Sequence, residues 1–303
     1  MSVSRISLEK KGPEVSRIVL GLWRLADWGF NRSQTLDLIH HCMDLGITTY
    51  DHADIYGDYT CEKRFGEALA DAPHIRQRIQ IMTKCGIKLV SKNHPDHRIK
   101  SYDTSRNHII ASVENSLNML HTDYLDLLMI HRPDPFMHAE DVAEAFQSLH
   151  QAGKARFFGV SNFLPSQFDF LSSYVSVPLV TNQIEISVIH LDSFFDGTLE
   201  MCQKLQISPM AWSPFGGGEL FRGKGKKEIR IRQALHQIGR ASEGATIDQV
   251  ALAWLLCHPA KIVPILGSGK LERIQSAIQA ETLSLSREEW FTIWRASTGE
   301  EVP

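Results

Sequence analysis

Three short segments of the chain each contribute side chains that can hold or transfer a proton. The segment YDHADIYG contains Asp51 and Tyr56, MTKCG contains Lys84, and LLMIHRPD contains His131. A charged lysine beside a tyrosine stabilises the phenolate, so we predict that Lys84 lowers the pKa of Tyr56 from ~10 toward neutrality. A carboxylate beside the lysine keeps the lysine charged. The combination provides a phenol that can protonate a developing alkoxide near neutral pH.

Each of these side chains also has an ordinary structural interpretation. Taken alone, a lysine or an aspartate is more often a solvated charge, and a histidine is more often a hydrogen-bonded structural residue. Their common position favours chemistry, because Asp51, Lys84 and His131 fall at the carboxyl ends of three successive predicted strands. In a parallel α/β barrel those ends meet at the face where the active site lies.

The elements that position these residues follow a simple alternation. Short apolar runs rich in β-formers alternate with longer segments of helical period, which favours parallel strands joined by helices. Eight such strands are predicted, and eight is the strand number of a (β/α)8 TIM barrel. No linker or change of composition divides the chain, so we predict a single α/β barrel domain spanning residues 1–303. The predicted strands are 17–22, 48–52, 79–83, 124–131, 155–160, 179–183, 207–212 and 262–266.

The helical segments between these strands suit the same architecture. Additional helices are predicted at 226–257, between strands seven and eight, and at 287–296 near the C-terminus. The polar segment 87–103 is predicted to be an exposed loop without regular structure at the mouth of the barrel. The predicted crossover helices are 33–45, 61–70, 104–120, 140–151, 165–173, 193–205 and 270–280.

The composition argues against several classes of function. Lys plus Arg number 32 against 35 Asp plus Glu, a balance that gives no attraction to nucleic acid. No apolar run approaches the ~18 residues of a membrane span, and the first residues lack the apolar centre of a signal peptide, so we expect a cytoplasmic protein. The five cysteines are scattered without a Cys-x-x-Cys pair, which indicates neither a disulfide framework nor a metal site.

Six segments, in order along the chain, resemble signatures of the aldo-keto reductase family: DHADIYG, TKCG, LDLLMIHRPD, GKARFFGVSNF, TNQIEIS and AWSPFGGG. The resemblance covers nearly the whole chain. It implies a (β/α)8 barrel that reduces aldehydes or ketones with NADPH. It also implies that Asp51, Tyr56, Lys84 and His131 form a catalytic tetrad, with Tyr56 as general acid and His131 orienting the substrate carbonyl.

The same resemblance implies where the nicotinamide end of the cofactor binds. Ser161, Asn162 and Gln183 match the positions that hydrogen-bond the carboxamide of the ring. Trp212 matches the position of the aromatic side chain that stacks on the ring, where many members of the family have tyrosine. An indole keeps that stacking surface and loses the hydroxyl.

Two segments are suited to bind the phosphates of a dinucleotide. Glycines let backbone N–H groups approach a phosphate in SPFGGG, and GSGKLER opens a predicted helix. Lys270 and Arg273 match the family's site for the 2′-phosphate of adenosine and therefore favour NADPH over NADH. Ser276 and Ala277 stand where many members hold adenine with a Glu–Asn pair, so adenine binding differs here. The candidate phosphate-binding residues are Ser213, Gly216, Gly267, Ser268, Gly269, Lys270 and Arg273.

Two other functions are compatible with the sequence. A barrel aldolase would form a Schiff base through Lys84, which requires a neutral lysine. A regulatory subunit would bind the cofactor in the same barrel without turnover. For an enzyme, the expected partner is a small carbonyl substrate bound among mouth residues such as Trp23, Trp28, Tyr59 and the 87–103 segment, and we expect a monomer.

Overall fold

The computed structural model describes residues 2–302 of the chain. Eight parallel strands close into a barrel in the order β10-β11-β12-β3-β4-β5-β8-β9, which confirms the predicted fold and all eight predicted strands. Two short antiparallel pairs, β1 with β2 and β6 with β7, lie outside the barrel. The strands are β1 (Arg5–Ser7), β2 (Glu14–Ser16), β3 (Val19–Gly21), β4 (Thr49–Asp51), β5 (Gln80–Cys85), β6 (Ile87–Lys88), β7 (Ser101–Tyr102), β8 (Leu125–Ile130), β9 (Ala155–Ser161), β10 (Leu179–Glu185), β11 (Met210–Trp212) and β12 (Val263–Leu266).

Helices join the barrel strands and cover the outside of the barrel. The predicted additions are present, as α9 and α10 before β12 and as α12 near the C-terminus. No helix within residues 2–302 combines the length and apolar character needed to cross a membrane. The helices are α1 (Arg32–Asp44), α2 (Tyr56–Tyr59), α3 (Cys61–Ala70), α4 (Arg106–Met119), α5 (Ala139–Gln151), α6 (Pro165–Ser172), α7 (Thr198–Leu205), α8 (Glu219–Arg222), α9 (Lys226–Ala241), α10 (Ile247–Leu256), α11 (Leu271–Ile278) and α12 (Arg287–Thr298).

The predicted helix 193–205 begins later than its sequence pattern suggests. Asp192–Phe194 form a separate 3₁₀ turn, and α7 begins only at Thr198. Gly197 between them has φ of 83°, a left-handed conformation that a continuous α-helix does not contain. The glycine therefore separates one predicted helix into two elements.

The β1–β2 hairpin was not predicted, because strands of three residues are too short to show an alternating pattern. Leu8, just after β1, and Val15, on β2, are fully buried and pack with Val19, Met210 and other side chains that fill the barrel. The backbone N–H of Ser16 donates to the hydroxyl of a threonine that begins β4. The hairpin thus closes the end of the barrel opposite the carboxyl ends of its strands, so the mouth lies at one end only.

The prediction that 87–103 lacks regular structure was wrong in part, because β6 and β7 pair as a small hairpin. Two residues per strand leave no periodicity in the sequence. The backbone N–H of Leu89, just after β6, donates to the hydroxyl of Tyr59 at 2.8 Å. Asn93 donates to the backbone carbonyl of Asp58 at 2.8 Å, and the ring of His94 lies 4.1 Å from that of Tyr59. The hairpin is therefore fastened to the turn that follows Tyr56.

That turn is the segment labelled α2, whose backbone is not that of a regular right-handed helix. Gly57, Asp58 and Tyr59 are consecutive residues with positive φ, at 58°, 55° and 66°. Non-glycine residues adopt this region at a cost and persist there when their surroundings hold them. The contacts from the 87–103 hairpin supply that support next to Tyr56.

Candidate active site

Three of the four predicted catalytic side chains meet in direct contact at the carboxyl ends of neighbouring strands. The Lys84 Nζ donates to Asp51 Oδ1 at 2.7 Å and to the Tyr56 Oη at 3.2 Å. The Lys84 side chain is 0% exposed and the Asp51 side chain 4% exposed. His131 joins them through its ring, whose centroid lies 5.8 Å from that of Tyr56 at an angle of 78°.

The barrel register places these residues together. Asp51 is the last residue of β4 and Lys84 lies near the end of the adjacent β5. His131 follows β8 and extends its pairing with β5 by one bond, from its backbone N–H to the carbonyl of Cys85 at 2.9 Å. Tyr56 opens α2, in the loop after β4. Parallel strands thus deliver all four side chains to one face of the barrel.

Lys84 is held as a cation. Burial lowers the pKa of Lys84, but the charge of Asp51 and the contact with Tyr56 outweigh it, and the net pKa lies above the ordinary value. The Lys84 Nζ also donates to the backbone carbonyl of His52 at 2.6 Å. All three ammonium protons therefore have acceptors. The carbonyl of His52 is a part of this site that the sequence did not reveal.

The predicted fall in the pKa of Tyr56 was wrong. Burial raises the pKa of Tyr56 above its ordinary value, and the opposing effects of the Lys84 charge and hydrogen bond do not cancel that rise. The error arose because the sequence shows the neighbouring cation but not the extent of burial. At neutral pH the phenol therefore carries its proton, and Lys84 makes it a stronger acid than burial alone would allow.

His131 is neutral. Burial lowers the pKa of its imidazole well below the ordinary range, and the charges of Lys84, Arg132 and Lys100 lower it further. Its Nδ1 is buried and has no hydrogen-bond partner within residues 2–302. A neutral imidazole beside the phenol can donate one hydrogen bond to a carbonyl oxygen.

The four residues assigned to the nicotinamide end form one chain of hydrogen bonds. Trp212 Nε1 donates to Asn162 Oδ1 at 2.9 Å, and Asn162 Nδ2 donates to Ser161 Oγ at 2.7 Å. Ser161 Oγ donates to the backbone carbonyl of Gln183 at 2.9 Å. The Gln183 side chain then donates from Nε2 to Asp51 Oδ1 at 2.8 Å. These polar groups converge beside the tetrad, which suits a planar ring bearing an amide.

The SPFGGG segment forms a tight turn of left-handed residues. Ser213 has φ of 49°, and the three glycines that follow Phe215 have φ of 57°, 62° and 99°. Such a run exposes backbone groups on one side of the turn. Arg24 and Arg222 both donate to the carbonyl of Gly217, at 3.5 Å and 3.1 Å. Neither arginine belongs to a recognisable motif, so sequence reasoning missed two cations beside a candidate phosphate site.

The second candidate phosphate segment leads into α11. Lys270 is the residue before α11, and a Cβ on the preceding Gly269 would lie 2.6 Å from the indole of Trp28, so a larger residue there would have to displace that ring. The side chains of Lys270 and Arg273 are exposed, and neither makes an ion pair within the described residues 2–302. Both cations are therefore free to bind an anion. Gly267 is exposed, and Ser268 accepts a hydrogen bond from the backbone of Lys270 at 3.2 Å.

The position that would hold adenine is occupied by other contacts. The Ser276 hydroxyl donates to Asp248 at 2.8 Å, and the Gln249 side chain donates to the Ser276 carbonyl at 3.2 Å. Ala277 is buried. The Glu–Asn pair that many members of the family have is thus replaced by a contact between α10 and α11.

Two further side chains lie at the mouth of the barrel. Trp23 is 57% exposed, in the loop after β3. The guanidinium carbon of Arg132 lies 5.3 Å from the centroid of the Trp212 ring, and Arg132 makes no ion pair in the part of the chain that the structure describes. Sequence reasoning missed Arg132. Its position directly after His131 was the one feature of the sequence that could have placed it at the mouth.

The chain is similar in sequence and in fold to known proteins. The model of the Aldo/keto reductase family matches residues 17–297. The chain is 52% identical to the uncharacterized oxidoreductase YcsN of Bacillus subtilis (strain 168), over 96% of this chain and 97% of that protein. It is 46% identical to a 6-dehydroglucose reductase of Agrobacterium fabrum (strain C58 / ATCC 33970), over 99% and 100%. The crystal structure of the thermostable aldo-keto reductase Tm1743, in complex with the inhibitor epalrestat, aligns with a TM-score of 0.82 at 29% identity, covering 97% of this chain and 99% of that one.

Proposed function

Since the chain belongs to the aldo/keto reductase family, we propose that it reduces aldehydes or ketones to alcohols with NADPH and that Tyr56 is the proton donor. The observation that carries the proposal is the contact of the buried Lys84 ammonium with both Asp51 and the Tyr56 hydroxyl. Lys84 donates to the phenol oxygen, so the phenol's own hydrogen is left for another acceptor. That acceptor is the oxygen of a carbonyl substrate.

Three residues of the chain have separate roles in proton transfer. Bound NADPH would supply the hydride. Tyr56 gives its proton to the substrate oxygen, and the O–H bond of the alcohol forms as the phenol O–H bond breaks. Lys84 stabilises the resulting phenolate because it remains charged at 2.7 Å from Asp51. The neutral His131 donates a hydrogen bond that orients the carbonyl oxygen.

The arrangement of polar groups supports a nicotinamide dinucleotide as cofactor. Ser161, Asn162 and Gln183 present hydroxyl and amide groups beside the tetrad. Asn162 Oδ1 accepts a hydrogen bond from the indole N–H of Trp212, which fixes the plane of that ring. The left-handed turn at 216–218 suits the approach of a phosphate. These residues fit a planar amide-bearing ring at one end and phosphates at the other.

The alternatives fit this site less well. A Schiff-base aldolase needs an accessible, neutral lysine, whereas Lys84 is 0% exposed and held charged by Asp51. A regulatory subunit has no requirement for a phenol held between a lysine and an imidazole.

We expect the purified protein to bind NADPH on the order of tenfold or more tightly than NADH. The exposed Lys270 and Arg273 would each lose a charge-assisted contact with NADH, worth roughly 1.5–3 kcal/mol. Arg273→Ala is expected to reduce the preference by weakening NADPH alone, as measured by fluorescence titration of both cofactors. Arg240→Ala, which removes an exposed cation on α9, is the control. Equal dissociation constants for the two cofactors in the wild type would refute the preference.

We further propose that polyhydroxylated aldehydes are among the substrates. A relative that is 46% identical over 99% of this chain is a 6-dehydroglucose reductase. At the mouth, Arg132 lies over the Trp212 ring without an ion pair to any residue of the 2–302 range, and its guanidinium donors suit hydroxyl oxygens. NADPH consumption should therefore be compared for 6-dehydroglucose and for apolar aldehydes such as benzaldehyde. We expect a higher kcat/KM for 6-dehydroglucose. Turnover of apolar aldehydes alone would refute this substrate class, and turnover of neither kind would contradict the reductase itself.

A further inference from the structure

The side chain of Gln183 connects the nicotinamide-side residues to the proton donor. Its Nε2 donates to Asp51 Oδ1 at 2.8 Å, and Lys84 Nζ donates to the same oxygen at 2.7 Å. Gln183 and Asp51 are both buried. Gln183 lies on β10 and Asp51 on β4, so the bond crosses the mouth of the barrel between strands that are not neighbours.

We propose that Gln183 is a positioning residue for the proton donor Tyr56. Gln183 acts through Asp51 and Lys84 to set the acidity of Tyr56, in addition to any contact that it makes with the cofactor. The inference rests on the proposed function. It assigns to Gln183 a role in the free enzyme, whereas a residue that only held the cofactor would act only when the cofactor is bound.

The shared oxygen explains the role. The Asp51 carboxylate favours the charged form of Lys84 but opposes ionisation of Tyr56, because its negative charge raises the pKa of the phenol while Lys84 lowers it. An N–H donated by Gln183 disperses part of the charge on Asp51 Oδ1 and fixes the direction of the carboxylate. The result is a lysine that stays charged and remains near enough to Tyr56 to act on it.

The geometry also leaves Gln183 able to serve both partners. A glutamine amide has two N–H donors and one acceptor oxygen, and one donor is used by Asp51. No hydrogen bond within residues 2–302 uses its Oε1. The carboxamide of a nicotinamide can therefore bind at Oε1 while Nε2 keeps its bond to Asp51, which links occupation of the cofactor site to the acid.

The test is Gln183→Met, which preserves length and removes the donor. We expect the pKa of Tyr56 to rise by on the order of half a unit to one unit, because only part of a hydrogen bond's effect on Asp51 reaches the phenol. The readout is the ¹³Cζ resonance of Tyr56 in cofactor-free protein titrated with pH, assigned by its loss in Tyr56→Phe. The alkaline limb of kcat should move to higher pH by a similar amount.

Ser161→Ala is the matched control, because Ser161 belongs to the same hydrogen-bond chain but contacts the Gln183 backbone rather than Asp51. It is expected to weaken NADPH binding and to leave the Tyr56 titration unchanged. Gln183→Leu provides a second donor-free variant if Gln183→Met does not fold. A wild-type Tyr56 titration in a folded donor-free variant would overturn the inference, even if NADPH bound more weakly. That outcome leaves the proposed function standing, because the reductase itself is judged by turnover and by Tyr56→Phe.

Discussion

Tyr56→Phe is expected to slow carbonyl reduction by about 10²–10⁴-fold while NADPH affinity stays near that of the wild type. The substitution removes only the hydroxyl, and the ring still packs beside His131. Lys84 keeps two of its three acceptors, Asp51 and the carbonyl of His52, so the buried cation remains paired. The loss of rate in Tyr56→Phe therefore measures the contribution of the Tyr56 proton and not a change of the fold.

The measurement is single-turnover oxidation of NADPH with a saturating aldehyde that the wild type reduces. Tyr124→Phe is the matched control, because Tyr124 precedes β8 at the opposite end of the barrel, with its ring between Arg76 and Arg156. We expect the control to react at the wild-type rate. A rate for Tyr56→Phe within a few-fold of the wild type would show that the proton comes from another group.

The raised pKa of Tyr56 also fixes the pH dependence. Reduction requires the protonated phenol, so the rate is expected to stay constant through neutral pH and to fall at alkaline pH as the phenol ionises. Alcohol oxidation requires the phenolate and should show the opposite trend. In Tyr56→Phe this alkaline limb should be absent.

Much of this site follows from the sequence because strand ends in a parallel barrel share one face. Asp51, Lys84 and His131 each end or follow an apolar run, and that position alone predicted their meeting. The link between Gln183 and Asp51 could not be predicted, because the two residues are 132 positions apart and their contact depends on how two side chains cross the barrel mouth.

Other features escaped prediction for local reasons. The left-handed run from Gly57 to Tyr59 is set by contacts with the 87–103 hairpin, whose two-residue strands leave no pattern in the sequence. The direction of the Tyr56 pKa shift depends on a balance between burial and the Lys84 charge. The sequence identifies the charge, whereas the degree of burial is a property of the packed protein.

Lys84→Met is expected to lower the rate by a factor similar to that of Tyr56→Phe, through a different route. Tyr56 keeps its phenol but loses the cation that strengthens it as an acid against the effect of burial. Among residues 2–302, Asp51 then keeps the Gln183 donor alone, and a buried charge that loses its ionic partner costs roughly 3–5 kcal/mol. We therefore expect a lower melting temperature as well, which Tyr56→Phe should not show. Asp51→Asn is expected to lower the rate less than Lys84→Met does, because an asparagine oxygen can still accept a hydrogen bond from Lys84.

The double variant Tyr56→Phe/Lys84→Met distinguishes a shared function from two separate ones. If Lys84 acts on the reaction through the Tyr56 proton, removing it from an enzyme that already lacks the phenol takes away nothing further, and the double variant should react about as slowly as the slower single variant. If Lys84 contributes independently, for example by binding the substrate oxygen itself, the two factors should multiply. Single-turnover rates of the four proteins at saturating NADPH, measured below the melting temperature of Lys84→Met, separate these outcomes. A multiplied loss would contradict the assignment of Lys84 as the residue that makes Tyr56 a usable acid. An overlapping loss is expected, because the ammonium that contacts Tyr56 Oη at 3.2 Å has its other two protons on Asp51 and the His52 carbonyl, and none is left for the substrate.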